Sequence, residues 1–86
     1  MSVIEVLELL EQQKGKCALT GVKLTFQRIN GIRCLTNASI DRIETGGPYT
    51  KENVRLVCAV VNNMRWTLAD EELKYWCKLI LNPVEV

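Results

Sequence analysis

The spacing of hydrophobic positions changes several times along the chain, and each change marks an element. Val3, Val6, Leu7 and Leu10 recur three and four residues apart, which is one face of an α-helix. Ser2 precedes them with Glu5 three residues on, the pattern of a capping box. This helix is expected to fade at Lys14-Gly15, where glycine accepts the left-handed backbone that ends helices. "CALTG", residues 17–21, reads as a tight turn. From Val22 the period shortens. "VKLTFQRI" is rich in β-formers, and "IRCLTNASIDRI" answers it beyond Asn30-Gly31, a strong hairpin dipeptide. A β-hairpin over residues 22–43 is therefore expected, packed on a helix that contains Asn62.

"ETGGPYT" is a loop by composition. Its Gly46-Gly47-Pro48 lacks the Lys-Ser/Thr tail of a phosphate-binding P-loop and reads as a turn. "KENVRLVCAVVNNMRW" returns to helical spacing at Val54, Val57, Cys58, Val61 and Met64, although its first residues can be extended. "TLADEELKYWCKLIL" reads as a last helix with Thr67 as N-cap and Asp70 at the third helical position. It carries Leu68, Leu73, Trp76, Cys77 and Ile80 on one face and stops at Asn82-Pro83. Trp66, Tyr75 and Trp76 can act as stacking platforms for bases. Beside Leu and Ile at helical spacing they are expected in the core instead.

The order is helix, hairpin, loop, helix, helix, an α+β arrangement in a single domain, residues 1–86. A chain of 86 residues buries only about 60–65% of its unfolded surface, so modest stability is expected. The 48% hydrophobic and 24% charged content is that of a globular chain. No apolar run approaches the roughly 18 residues that span a bilayer, so no membrane association is expected. The first thirteen residues carry three Glu and no basic side chain, unlike a secretory signal or transit peptide; a cytoplasmic, intracellular protein is expected.

Charge alters the picture. The net charge of +1 hides −3 over residues 1–13, +6 over residues 14–65 and −2 over residues 66–86. All five arginines lie between Arg28 and Arg65. A basic middle of this kind fits a surface that meets phosphate, or equally strands solvated by Lys and Arg. The four cysteines, Cys17, Cys34, Cys58 and Cys77, form no Cys-x-x-Cys pair, and there is no histidine. Buried thiols are expected rather than disulfides or a structural zinc.

With these elements in place, "CALTGVKL", "ASIDRIETGGPYTKENVRLVC", "VNNMR" and the late "WC" resemble the HNH endonucleases, the ββα-metal or His-Me finger group, in a compact phage-type branch. The resemblance covers residues 17–77 and implies a ββα core over about residues 17–66. It implies that Asp41 ligates a divalent metal, Mg²⁺ or Mn²⁺, together with the amide oxygen of Asn62. Asn53 then ties the loop backbone, and Cys17 and Cys58 stand where first zinc ligands stand in the family. Thr20 and Val61 hold the second places, so packing is expected to replace zinc there. Glu44 adds an acid with no family role.

Arg42 occupies the place of the family's general-base histidine. A guanidinium cannot accept a proton near neutral pH, although it binds phosphate well. The catalytic constellation is thus Asp41, Arg42, Asn53 and Asn62, and the expected nucleic-acid contacts are Arg28, Arg33, Arg42, Arg55 and Arg65. The expected function is that of an HNH-like, endonuclease-type protein acting on or binding DNA, with catalysis weak or lost. The alternative is an inactive, nuclease-derived module that binds nucleic acid or a host protein as a phage regulatory factor. Read without the family, Asp41-Arg42 is a surface ion pair, Asn53 a helix N-cap, and Asn62 a solvent-facing helix position.

Overall fold

The computed structural model describes residues 1–28 and 34–85. In these residues three helices surround one two-stranded antiparallel sheet. Helix α1 runs Val3–Gln12, strand β1 Ala38–Arg42, strand β2 Val54–Cys58, helix α2 Ala59–Arg65 and helix α3 Asp70–Leu81. No helix among the described residues is long and apolar enough to cross a membrane.

Helix α1 starts as its sequence predicts. The Ser2 hydroxyl accepts from the Glu5 amide and the Glu5 carboxylate accepts from the Ser2 amide, which satisfies two orphan donors of the first turn. It ends through Lys14 and Gly15, both at positive φ, with the Gly15 amide donating back to the Leu10 carbonyl at 2.9 Å. The chain then makes the turn expected at residues 17–21, closed by Gly21 N–H to the Cys17 carbonyl.

The hairpin lies elsewhere than the sequence predicts. β1 pairs with β2 across a loop over residues 43–53, with Ala38 opposite Cys58 and Arg42 opposite Val54. Residues 22–28 form no strand; they carry isolated bridges at Lys23 and Thr25. Side chains explain why. Asn37 Oδ1 accepts from the Gln27 amide and the Thr25 hydroxyl, and Asn37 Nδ2 donates to the Gln27 carbonyl. These bonds take up backbone groups that a strand ladder would use. The Asn30-Gly31 turn lies outside the described residues.

"VRLVC" is a strand and not the start of a helix. Val54, Leu56, Val57 and Cys58 are all buried. A strand covered on both faces loses its alternation and shows a continuous apolar run, and a short run of that kind mimics helical spacing. Its outer edge is closed by Gln13, whose side-chain amide donates to the Leu56 carbonyl at 2.8 Å and accepts from the Leu56 amide at 2.9 Å. The core gathers around β2: Leu9 from α1, Cys17 and Leu24 from the connecting segment, and the β2 residues themselves.

Helix α3 begins two residues later than predicted. Ala69 is its N-cap, and Glu72 accepts from the Ala69 amide at 3.1 Å. Thr67 instead sits in a tight turn closed by Leu68 N–H to the Arg65 carbonyl at 2.9 Å. No residue of α3 is buried. Trp66, Tyr75 and Trp76 are all exposed rather than in the core: Trp66 sits in the turn before α3, and this small body covers only one flank of α3.

Candidate functional site

Strand register builds the site. Asp41 faces Arg55 directly across the β1–β2 ladder, so their side chains share one face of the sheet. Ser39 shares that face, two residues away. Above it, Asn62 and Arg65 lie three residues apart on α2 and project from one side of the helix. Asn62 Nδ2 donates to Ser39 Oγ at 2.7 Å, and Arg65 Nη1 donates to Asp41 Oδ1 at 2.5 Å.

The Asp41 carboxylate is 4% exposed and has both oxygens engaged. Arg55 Nε donates to Oδ2 at 2.8 Å, opposite the Arg65 bond to Oδ1. Arg65, 2% exposed, also donates to the main-chain carbonyls of Arg42 and Ile43. Arg55 continues to Asp70 at the start of α3 with two bonds of 2.7 and 2.6 Å, and Arg65 Nε lies 3.4 Å from the same carboxylate. Two guanidiniums and two carboxylates therefore form one neutral cluster that ties β1, β2, α2 and α3 together. The bidentate bonds from Arg55 hold the Asp70 carboxyl below its usual value against the opposing effect of burial. The same bonds to Asp70, aided by Asp41, hold the Arg55 guanidinium above the usual arginine range.

A catalytic Mg²⁺ or Mn²⁺ needs hard oxygens that face open space. Here Asp41 is enclosed by two fixed cations at ion-pair distance, and a metal ion would have to displace or sit beside a guanidinium anchored to two further carbonyls. Asn62 directs its amide nitrogen to Ser39 and, at 3.4 Å, to the Ile40 carbonyl. This donor set does not fit the divalent metal that the family resemblance implies. Among the described residues, no group of three or more Cys, Asp or Glu side chains is gathered that could hold a metal.

Asp41, Arg42 and Asn62 do line one small cavity of about 110 Å³, together with Tyr49, Arg65 and Trp66. Arg42 differs from the other two arginines of the site. Its Nη1 donates to the Gly47 carbonyl at 3.2 Å, its Cζ lies 4.6 Å from the Tyr49 ring centroid, and among the described residues no carboxylate pairs with it. Arg28 is also exposed, and Arg33 lies outside the described residues. Arg55 and Arg65, expected on the nucleic-acid surface, instead turn inward to Asp41 and Asp70 because those carboxylates would otherwise be desolvated without partners.

Asn53 ties the loop. Its Oδ1 accepts from the Glu44 amide at 3.0 Å, and its Nδ2 donates to the Pro48 carbonyl at 2.9 Å and the Glu44 carbonyl at 3.4 Å. It caps no helix, because Val54 opens β2. Glu44 itself is exposed and outside the cavity lining. Gly47 packs so closely that a Cβ there would come within 2.6 Å of Asn53 Nδ2.

Cys17 and Cys58 are brought together, with the Cys58 amide donating to Cys17 Sγ at 3.4 Å. Burial, then the neighbouring Cys17 sulfur, pushes the Cys58 thiol up. Burial acts the same way on Cys17, but bonds from Thr20 and nearby amides outweigh it and draw that thiol down. Val61 packs against the core beside them, and Cys34 lies apart, near Thr25 and Thr36.

Trp66, expected in the core, is exposed instead and is the most telling member of the site. It sits at φ 52°, ψ −119°, between Arg65 and the closing amide of Leu68. These are the angles of the first central position of a type II′ turn, a place glycine normally holds. A tryptophan there stores about 1–3 kcal/mol of backbone strain.

Compared with protein-family models, curated proteins and solved structures, the chain matches none.

Proposed function

We propose that this chain is a nuclease-derived, HNH-like module that binds nucleic acid, DNA in the first instance, without cutting it. One observation carries the reading: both oxygens of Asp41, the residue that would anchor a catalytic metal, are bound by Arg55 and Arg65. Two features support a retained interface. Arg42 stands at the cavity with no carboxylate among the described residues to neutralise it, and Asn53 still fixes the loop that presents Tyr49 and Gly47. An arginine in this position binds phosphate and cannot replace a general base, whose loss alone costs about 10²–10⁴ in rate. The β1–loop–β2–α2 order, with Asp41 on β1, Asn53 just before β2 and Asn62 on α2, also supports the reading.

The test pairs two assays on the same preparation. End-labelled duplex incubated with Mg²⁺ or Mn²⁺ should remain intact. Anisotropy titrations should show binding with a log–log salt slope of about −1.8 to −2.7, as two to three phosphates are neutralised. Mg²⁺-dependent strand cleavage lost in Asp41→Ala, or an affinity indifferent to salt, would overturn the proposal.

A second reading, docking of a host or phage protein partner, is favoured by the apolar side chains that α3 leaves exposed, among them Trp76, Ile80 and Leu81. Under that reading Trp76→Ala abolishes partner binding and Arg42→Ala leaves it intact.

A further inference from the structure

The strained turn at Trp66 and the cavity beside it point to a specific form of ligand. The chain places its largest side chain at a backbone position suited to glycine, and Trp66 is 77% exposed, so packing returns little for the strain. That ring borders the same cavity as Arg42 and Tyr49. The cavity, about 110 Å³, is open to solvent on one side, and phosphate oxygens can reach its guanidinium lining.

We infer that Trp66 is a stacking platform for an unpaired nucleobase whose phosphate is held by Arg42, so that the site prefers single-stranded nucleic acid to duplex. The inference rests on the nucleic-acid reading above and narrows it. Bases in a duplex are already stacked on one another and offer no free face to an exposed ring, whereas an unpaired base does. Tyr49 packs against the Arg42 guanidinium in a cation–π contact, and Nη1 donates to the Gly47 carbonyl, which leaves the other N–H groups of the guanidinium edge for phosphate oxygens. The turn leaves Trp66 77% exposed, where a base can meet it.

The experiment uses the full chain carrying Trp76→Phe, which leaves Trp66 as the sole tryptophan. Unlabelled oligo(dT) should quench its emission saturably, and anisotropy should show tighter binding to oligo(dT) than to a duplex of equal length. Trp66→Gly, which suits the turn and so folds, should reduce the ratio of single-strand to duplex affinity about tenfold, and Trp66→Phe should restore most of it. An unchanged ratio in Trp66→Gly, or no quenching on saturation with oligo(dT), overturns the inference while duplex binding keeps the broader reading intact. If neither form of DNA binds, both fall together.

Discussion

Asp41 shows how two guanidiniums can engage both oxygens of a carboxylate and take it away from any other cation. Its position at the end of β1 is legible in the chain, but its partners are not, because Arg55 and Arg65 reach it only through strand register and helix phase. Removing the carboxylate alone should cost about 3–5 kcal/mol in urea unfolding of Asp41→Ala, since buried Arg65 loses its bonded carboxylate and Arg55 keeps only Asp70. A mild effect, below about 1 kcal/mol, would mean that the cluster is solvated in solution. Trp66 supplies the opposite case. Glycine at φ 52° relieves the strain, so Trp66→Gly should raise the melting temperature, by about 1 kcal/mol of added stability, even as it removes the exposed ring. Stabilisation on losing a large side chain is a signature that few other positions would give.

At the scale of elements, the loop over residues 43–53 is organised by a single amide. Asn53→Ala should loosen the Glu44 and Pro48 contacts, and Gly47→Ala should push against the same amide from the other side. The two substitutions share a partner, so the double variant should be less destabilised than the sum of the singles. Strict additivity in a thermal denaturation cycle would argue that Asn53 and Gly47 do not touch. The start of α1 and the CALTG turn are readable because a capping box and glycine stops act within a few residues. The hairpin was not, for the reason seen in Asn37 and "VRLVC": a side-chain amide replaced one ladder, and double-sided burial erased the alternation of the other. The tie made by Asn53 was legible from the resemblance, whereas the edge closure by Gln13 had no local signal at all.

Across the whole molecule, the cluster of Asp41, Arg55, Arg65 and Asp70 welds the sheet to α2 and α3, and its acid sensitivity is predictable in sign. Asp70 has its folded pKa below the unfolded value of about 4, chiefly through Arg55, with smaller help from Arg65 and Lys74. Its contribution is therefore complete above that value and is lost as pH falls through the folded pKa. The urea midpoint should be level from pH 7 to about pH 5 and decline below about pH 4. Asp70→Asn should lower the neutral plateau and flatten that decline, and an equally steep acid limb in the variant would assign it to other carboxylates.

The central claim is that guanidiniums have taken the place from which Asp41 would hold a metal. Electron paramagnetic resonance of Mn²⁺ titrated with the natural protein tests it most directly. The signal of free Mn²⁺ should persist up to millimolar protein, with no saturable site. One Mn²⁺ bound per chain at micromolar affinity, and released in Asn62→Ala, would contradict the account and return Asp41 and Asn62 to the role of metal ligands.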